Sequence, residues 1–222
     1  MRVAITQPNF LPWLGYFDLL DRVDVWVSLD NVQRSKQSFS TRNRIKLKGG
    51  GTKWLSVGLR KVALHTTLAE APLSPGDWPA RIFASIDDNY RKAPFAQAHR
   101  DWLADLLRPR DDETMLAPYN ERIVRELANV LGIRFECYRA SDLEPSLLGT
   151  PQQKVFALLD HFEATEFLNF QRGIEMGLYD GQAFGARGTQ LRKQAYRHPR
   201  YRQLGDEFVS HLSVVDLLLN EG

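Results

Sequence analysis

Cysteine is nearly absent from this chain. Cys137 stands alone among 222 residues, which excludes an internal disulfide and a cysteine-based zinc cluster. It lies in IRFECYRA, a strand pattern, so a packed structural thiol is expected. The five histidines, His65, His99, His161, His198 and His211, show neither HExxH nor HxH spacing, and no catalytic zinc is expected from them. Long apolar runs are also missing. None approaches membrane-spanning length, and MRVAITQPNFLPW has neither the apolar core nor the cleavage site of a signal peptide, so the chain reads as cytoplasmic. Nor is there a surplus of one charge. Lys and Arg total 29 against 27 for Asp and Glu, a formal net charge of +2. That gives no global case for nucleic acid, whose readers carry a strongly basic face. Any basic site must be local.

What remains is core-forming material without repeats or low-complexity tracts. Hydrophobic residues make up 43% and aromatics 11% of the chain, enough to bury a large core as one domain over residues 1–222. Apolar runs at Val3–Ile5, Val23–Leu29, Ile133–Tyr138 and Glu166–Phe170 read as strands. Helical spacing appears at Ile82, Phe83 and Ile86, at Trp102 to Leu107, at Ile123 to Leu131 ending near Gly132, and again at Val155–Phe162, Leu178–Phe184 and Val214–Leu219. Ala63 to Trp78, punctuated by prolines, reads as an ordered loop. The alternation predicts an α/β fold with a mainly parallel, Rossmann-like sheet flanked by helices.

The richest stretch is Gln7 to Phe17, QPNFLPWLGYF, between the first strand and a short helix marked by Leu14, Phe17, Leu19 and Leu20. In open α/β sheets such a turn lies at the carboxyl edge, where polar ligands bind. Gln7 and Asn9 are placed to recognise neutral sugar or acyl groups there. Pro12 suits the first position of a helix, and Trp13 and Tyr16 are candidates to stack on a base or sugar. Phe17 is assigned to the core.

Two further regions are candidates. Arg34, Lys36, Arg42, Arg44, Lys46 and Lys48 follow one another with no acidic residue between Asp30 and Glu70. Guanidinium groups grip phosphate bidentately; Asn43 lies between two arginines, and Gln33, Ser35, Gln37 and Ser40 add uncharged donors. An ordinary solvated loop, running to about Ile45 before a hairpin arm beyond Gly49–Gly51, has the same composition. Asp30, at the end of the second strand, is placed either to orient a ligand or attacking amine or simply to start a turn. Near the end of the chain, Arg192, Lys193, Tyr196, Arg197, Arg200, Tyr201 and Arg202 surround His198. His198 precedes a proline, is held extended, and is a candidate general base. Tyr90 either lines a site or ends a helix. Ser213 and Asp216 read as a capping box opening the last helix.

QPNFLPWLGYF, VSLDNVQRSKQSFSTRNRIK with Trp54 soon after, and HPRYRQLGDEFVSHLSVVDLLLNEG together resemble the WbqC-like protein family. The echoes IDDNYRKAPF, LGI and ASDL extend the resemblance over the whole chain. The RNRIK match favours phosphate binding by Arg42, Asn43, Arg44 and Lys46, and the tail match raises His198 and Tyr201. The family pattern carries a second Asp where this chain has Asn31, which argues against a two-carboxylate metal site. The opening spacing also resembles a degraded nucleotidylyltransferase HxGH motif, with Gly15 and Tyr16 in its last two places and no histidine. The resemblance implies bacterial surface-polysaccharide (O-antigen) biosynthesis and a nucleotide sugar or other phosphorylated small molecule as ligand. Three classes compete: transfer of glycine or another acyl group to a sugar amine, nucleotidylyl transfer or ATP-dependent ligation, and non-catalytic nucleotide-sugar binding.

Overall fold

The computed structural model describes residues 1–63, 65–143 and 149–222; Leu64, in the loop expected from Ala63 to Trp78, lies outside the described residues. In chain order the elements are β1 (Arg2–Thr6), α1 (Leu14–Leu20), β2 (Val25–Ser28), β3 (Arg42–Lys46), β4 (Thr52–Ser56), α2 (Trp78–Tyr90), α3 (Ala96–Leu107) and α4 (Leu116–Val130). There follow β5 (Glu136–Arg139), α5 (Ala140–Leu143), α6 (Pro151–His161), β6 (Glu166–Asn169), α7 (Gln171–Glu175), α8 (Gly181–Ala186), β7 (Gln190–Lys193) and α9 (Val214–Glu221). The chain divides into two compact units. One comprises Met1–Pro8, Tyr16–Val32 and Ala128–Arg197, the other Asn9–Gly15, Gln33–Leu127 and His198–Gly222.

The first unit is built on a five-stranded, all-parallel sheet of order β5-β2-β1-β6-β7. Side chains alternate along a strand, so an apolar run buried on both faces needs cover on both. Val3 and Ile5 of β1 join Val25, Val27 and Phe167 in a core with Ala140 of α5, Val155, Leu158 and Leu159 of α6 and Phe184 of α8. Ala4, facing the other way, packs with Leu19 of α1 and Leu168. α6 opens on a capping box: Thr150 accepts from the Gln153 amide at 3.3 Å, and the Gln153 side chain accepts from Thr150 N at 2.8 Å.

Within this sheet the central strands switch direction of progression between β1 and β6. β1 pairs with β2 at four positions, from Val3–Val25 to Thr6–Ser28. With β6 it pairs at Arg2–Glu166 and Val3–Phe167 alone. The strand order thus reverses between β1 and β6, and the crevice beyond the carboxyl ends at such a reversal is where doubly wound sheets receive ligands.

In the second unit β3 and β4 form an antiparallel ribbon with Arg44 opposite Trp54, joined through a turn in which Gly50 and Gly51 adopt positive φ. The polar loop expected to reach Ile45 thus ends earlier, at Arg42. Strand alternation explains why polar composition concealed it: Asn43 and Ile45 turn to one side and are buried, while Arg42, Arg44 and Lys46 share the other. α2 buries Trp78, Ile82, Ile86 and Tyr90, four apart along one stripe. Among the described residues no helix is long and apolar enough to cross a membrane.

Candidate functional site

The exit turn of β1 is held by a chain of buried hydroxyls. The Trp26 indole N–H donates to Thr6 Oγ1 at 3.0 Å, Thr6 donates to the Tyr16 hydroxyl at 3.1 Å, and Tyr16 donates to the Gln7 carbonyl at 3.0 Å. Each donor is satisfied, which fixes the path of the backbone at Gln7. The Tyr16 ring is fully buried against Trp26, Phe170 and Phe17, so its part at this edge is to hold the turn. Phe17 lies in the core as assigned. Gln7 itself is half-buried.

The neighbouring strand ends carry further polar groups. Asp30, after β2, is buried and accepts from Ser141 N at 2.9 Å and Ser141 Oγ at 2.6 Å, tying the end of β2 to the start of α5. Asn169, at the end of β6, accepts from Phe170 N at 2.7 Å and donates to the Tyr179 hydroxyl at 3.1 Å. Sequence reasoning did not select Asn169; its signal was the same as that of Gln7, an amide side chain leaving an apolar strand.

In the second unit the opening motif continues with Asn9, whose side chain accepts from Ser40 Oγ at 3.4 Å. Leu11 adopts a positive φ of 41°, an uncommon conformation for a branched side chain. Asn43 supports it: buried, its amide donates to the carbonyls of Phe10 at 3.2 Å and Leu11 at 2.8 Å, and its oxygen accepts from Arg44 N at 2.8 Å. The β3 cations also have partners. Arg42 lies 4.2 Å over the Trp54 ring and donates to Gln37 O at 3.2 Å, Arg44 donates to Ser210 O at 3.3 Å, and the Lys46 ammonium donates to the Glu207 carbonyl.

The Ser210 and Glu207 carbonyls belong to a tail that gathers several expected residues. His198 stacks on His211 at 4.7 Å between centroids and approaches Tyr201 at 6.2 Å, and the Trp13 ring lies 5.1 Å from that of His211. A Cβ on Gly15 would collide with the Trp13 ring, so glycine there leaves room for the indole. Burial lowers His198 below its ordinary 6.5, and repulsion from His211 adds to it; burial and then Arg44 lower His211 likewise. Both rings are thus held neutral near pH 7.

Beneath them Asp216 does not close the expected capping box. Ser213 alone caps α9, accepting from Val215 N at 3.3 Å. The fully buried Asp216 carboxylate instead accepts from the hydroxyls of Tyr90 and Tyr201 and from Gln203 Nε2, each at 2.7 Å. The legible signal was an acid embedded in the apolar run VVDLLL, which demands buried partners. Arg192 and Lys193, grouped with His198 in the sequence reading, belong to β7 in the first unit, where Lys193 pairs with Glu175 at 3.2 Å. Gln33 lies in a separate pocket described below. No group of three metal-ligating side chains occurs among the described residues.

A parallel sheet with its strand order reversing at β1 and its polar exit turns on one edge defines a doubly wound α/β protein. The WbqC-like protein family matches residues 7–222, a span that includes the exit turn, β3 and the tail, and the chain belongs to that family. It is also similar to Uncharacterized protein Rv1507c of Mycobacterium tuberculosis (strain ATCC 25618 / H37Rv), at 29% identity over 225 residues that cover 100% of this chain and 94% of the relative. No solved structure matches it.

Proposed function

We propose that this WbqC-like protein is a cytoplasmic transferase in bacterial surface-polysaccharide biosynthesis that joins glycine or another acyl group to the amine of a nucleotide-linked sugar. The observation that carries this reading is the reversal of strand order between β1 and β6, beyond whose carboxyl ends such sheets take nucleotide-type ligands. There Gln7 offers an uncharged amide on a turn whose backbone is already fixed, the kind of group that reads a sugar hydroxyl or acyl oxygen without adding charge. Asp30, fastened by Ser141, is the carboxylate of that edge. In the second unit, taken by itself, neutral His198 has the protonation state a general base requires. Asn9, Trp13 and Tyr201 are its assigned ligand contacts, and the basic segment from Arg34 to Lys48 its phosphate contacts, with Arg42, Asn43, Arg44 and Lys46 ordering that segment. In the reaction the sugar nitrogen forms a bond to the acyl carbon, the donor's leaving group departs, and the amine proton passes to a base, for which the Asp30 carboxylate and His198 are the two candidates.

The test is incubation of the protein with nucleotide-linked amino sugars, glycine and acyl donors, followed by mass analysis. An amide product with the nucleotide retained is expected. Pyrophosphate release would transfer the assignment to nucleotidylyl transfer or ligation, and tight binding without any product would make it a binding protein.

A further inference from the structure

The phosphate contacts are assigned above to a whole basic segment, and the β3 part of it already has its cations engaged: Arg42 on Gln37 and Trp54, Arg44 on the Ser210 carbonyl, Lys46 on that of Glu207. Upstream the situation differs. Among the described residues, Gln33, Arg34, Ser35, Lys36 and Val62 line a pocket of about 570 Å³ in the second unit. Arg34 is half-buried, and its Nε is shielded from solvent with no hydrogen-bond partner. A guanidinium nitrogen removed from water and left unpaired is unfavourable, and native structures supply a partner or a ligand for such groups.

The surroundings fit an anion. No acidic residue occurs between Asp30 and Glu70, and Glu70 is turned to Thr67, accepting from its hydroxyl at 2.9 Å. Lys36 adds an exposed positive charge, and the neutral side chains of Gln33 and Ser35 lie beside it, the Ser35 hydroxyl donating to Lys36 O at 3.4 Å. The walls are pre-formed: Gln33 makes an antiparallel bridge to Thr67, and Arg34 N donates to Thr66 O at 2.9 Å. Fixed backbone with one half-buried and one exposed cation is an arrangement that grips a multiply charged oxyanion, the guanidinium supplying directed hydrogen bonds and the ammonium a point charge.

We infer that the Gln33–Arg34–Ser35–Lys36 pocket binds the phosphate or diphosphate group of a small molecule. The inference deepens the reading above and rests on its premise that the ligand is phosphorylated. The probe is inorganic pyrophosphate, titrated calorimetrically into the wild type, Arg34→Met, Lys36→Met and a control, Arg134→Met, an exposed cation of the first unit. The expected result is binding by wild type and control, at least tenfold weaker binding by Arg34→Met and a smaller loss for Lys36→Met, with all four proteins melting alike. Because Arg34 is partly buried, Arg34→Lys serves as a second variant: it keeps the charge, loses the fork, and should bind more weakly than wild type and more tightly than Arg34→Met. Absence of pyrophosphate binding to the wild type, or equal affinity in wild type and Arg34→Met, overturns the inference. If pyrophosphate binds through Arg34 while no nucleotide-linked amino sugar binds or reacts, the pocket stands and the transferase reading falls.

Discussion

At the scale of single residues, Asp216 shows how an acid is kept in an apolar helix. Its carboxylate takes three donors, and removing it takes an acceptor from the Tyr90 and Tyr201 hydroxyls and from Gln203 Nε2, which keeps its bond to Val209 O. Asp216→Ala is expected to cost about 3 kcal/mol, a magnitude set by hydrogen bonds to charged groups, measured by urea unfolding. Burial nevertheless pushes this carboxyl above its ordinary 3.8, against the opposing pull of Tyr201, Tyr90, Gln203 and Lys46. The folded state then holds the proton more tightly than the unfolded chain, so this contribution is present below 3.8 and is lost as pH rises through the raised value. The stability of wild type relative to Asp216→Asn should therefore fall as pH rises from 3.8 toward neutrality; a widening margin would refute that ionisation scheme. The histidines run oppositely. Their folded values lie below 6.5, so their contribution is present above 6.5 and is lost as pH falls through the lowered values. The melting temperature should drop on acidification below 6.5, and His211→Gln should flatten that drop. Of these residues His198 and Tyr201 were legible from their basic, aromatic context, whereas His211 was not singled out and emerges through its ring contacts with His198 and Trp13.

At the scale of elements, the decisive joint is the one between β1 and α1, where three side chains from three segments define the path of the Gln7 backbone. Thr6 is its centre, accepting from Trp26 and donating to Tyr16. Thr6→Val keeps the shape and deletes both bonds, leaving the indole N–H and one tyrosine lone pair unmet. The expected loss is about 2 kcal/mol, read by thermal or urea unfolding, with tryptophan fluorescence reporting the change around Trp26. An unaltered stability would show that the turn is held by packing alone. The sequence announced β1, α1, β2 and the α2–α4 helices because each repeats apolar residues at its own period. It concealed β7, which pairs with β6 yet exposes Gln190, Arg192 and Lys193, since an edge strand needs little apolar content. β3 was hidden in the same way by its charged face.

At the scale of the molecule, the parallel sheet follows from the alternation of strand and helix patterns along the chain, and the candidate edge from the polar residues that leave the strands, whereas the strand order and its reversal at β1 come from the structure. The chemistry is less legible, because the proposed transfer would work through amides, a carboxylate and an imidazole, which also serve as ordinary structural groups. Asp30 and Asn43 illustrate the ambiguity: both were chosen as polar residues at the right edge or loop, and both have backbone partners that explain their burial. Gln7 separates the two roles most cleanly, since its carbonyl serves the fold through Tyr16 while its side chain is half-buried at the sheet edge. Calorimetric titration of a nucleotide-linked amino sugar into wild type and Gln7→Ala, with the melting temperature of each, is therefore the most direct measurement. The account predicts binding by the wild type, at least tenfold weaker binding by Gln7→Ala, equivalent to about 1.4 kcal/mol or more, and closely similar melting temperatures. Equal affinity in the two proteins, or a large fall in melting temperature with ligand binding retained, would contradict it.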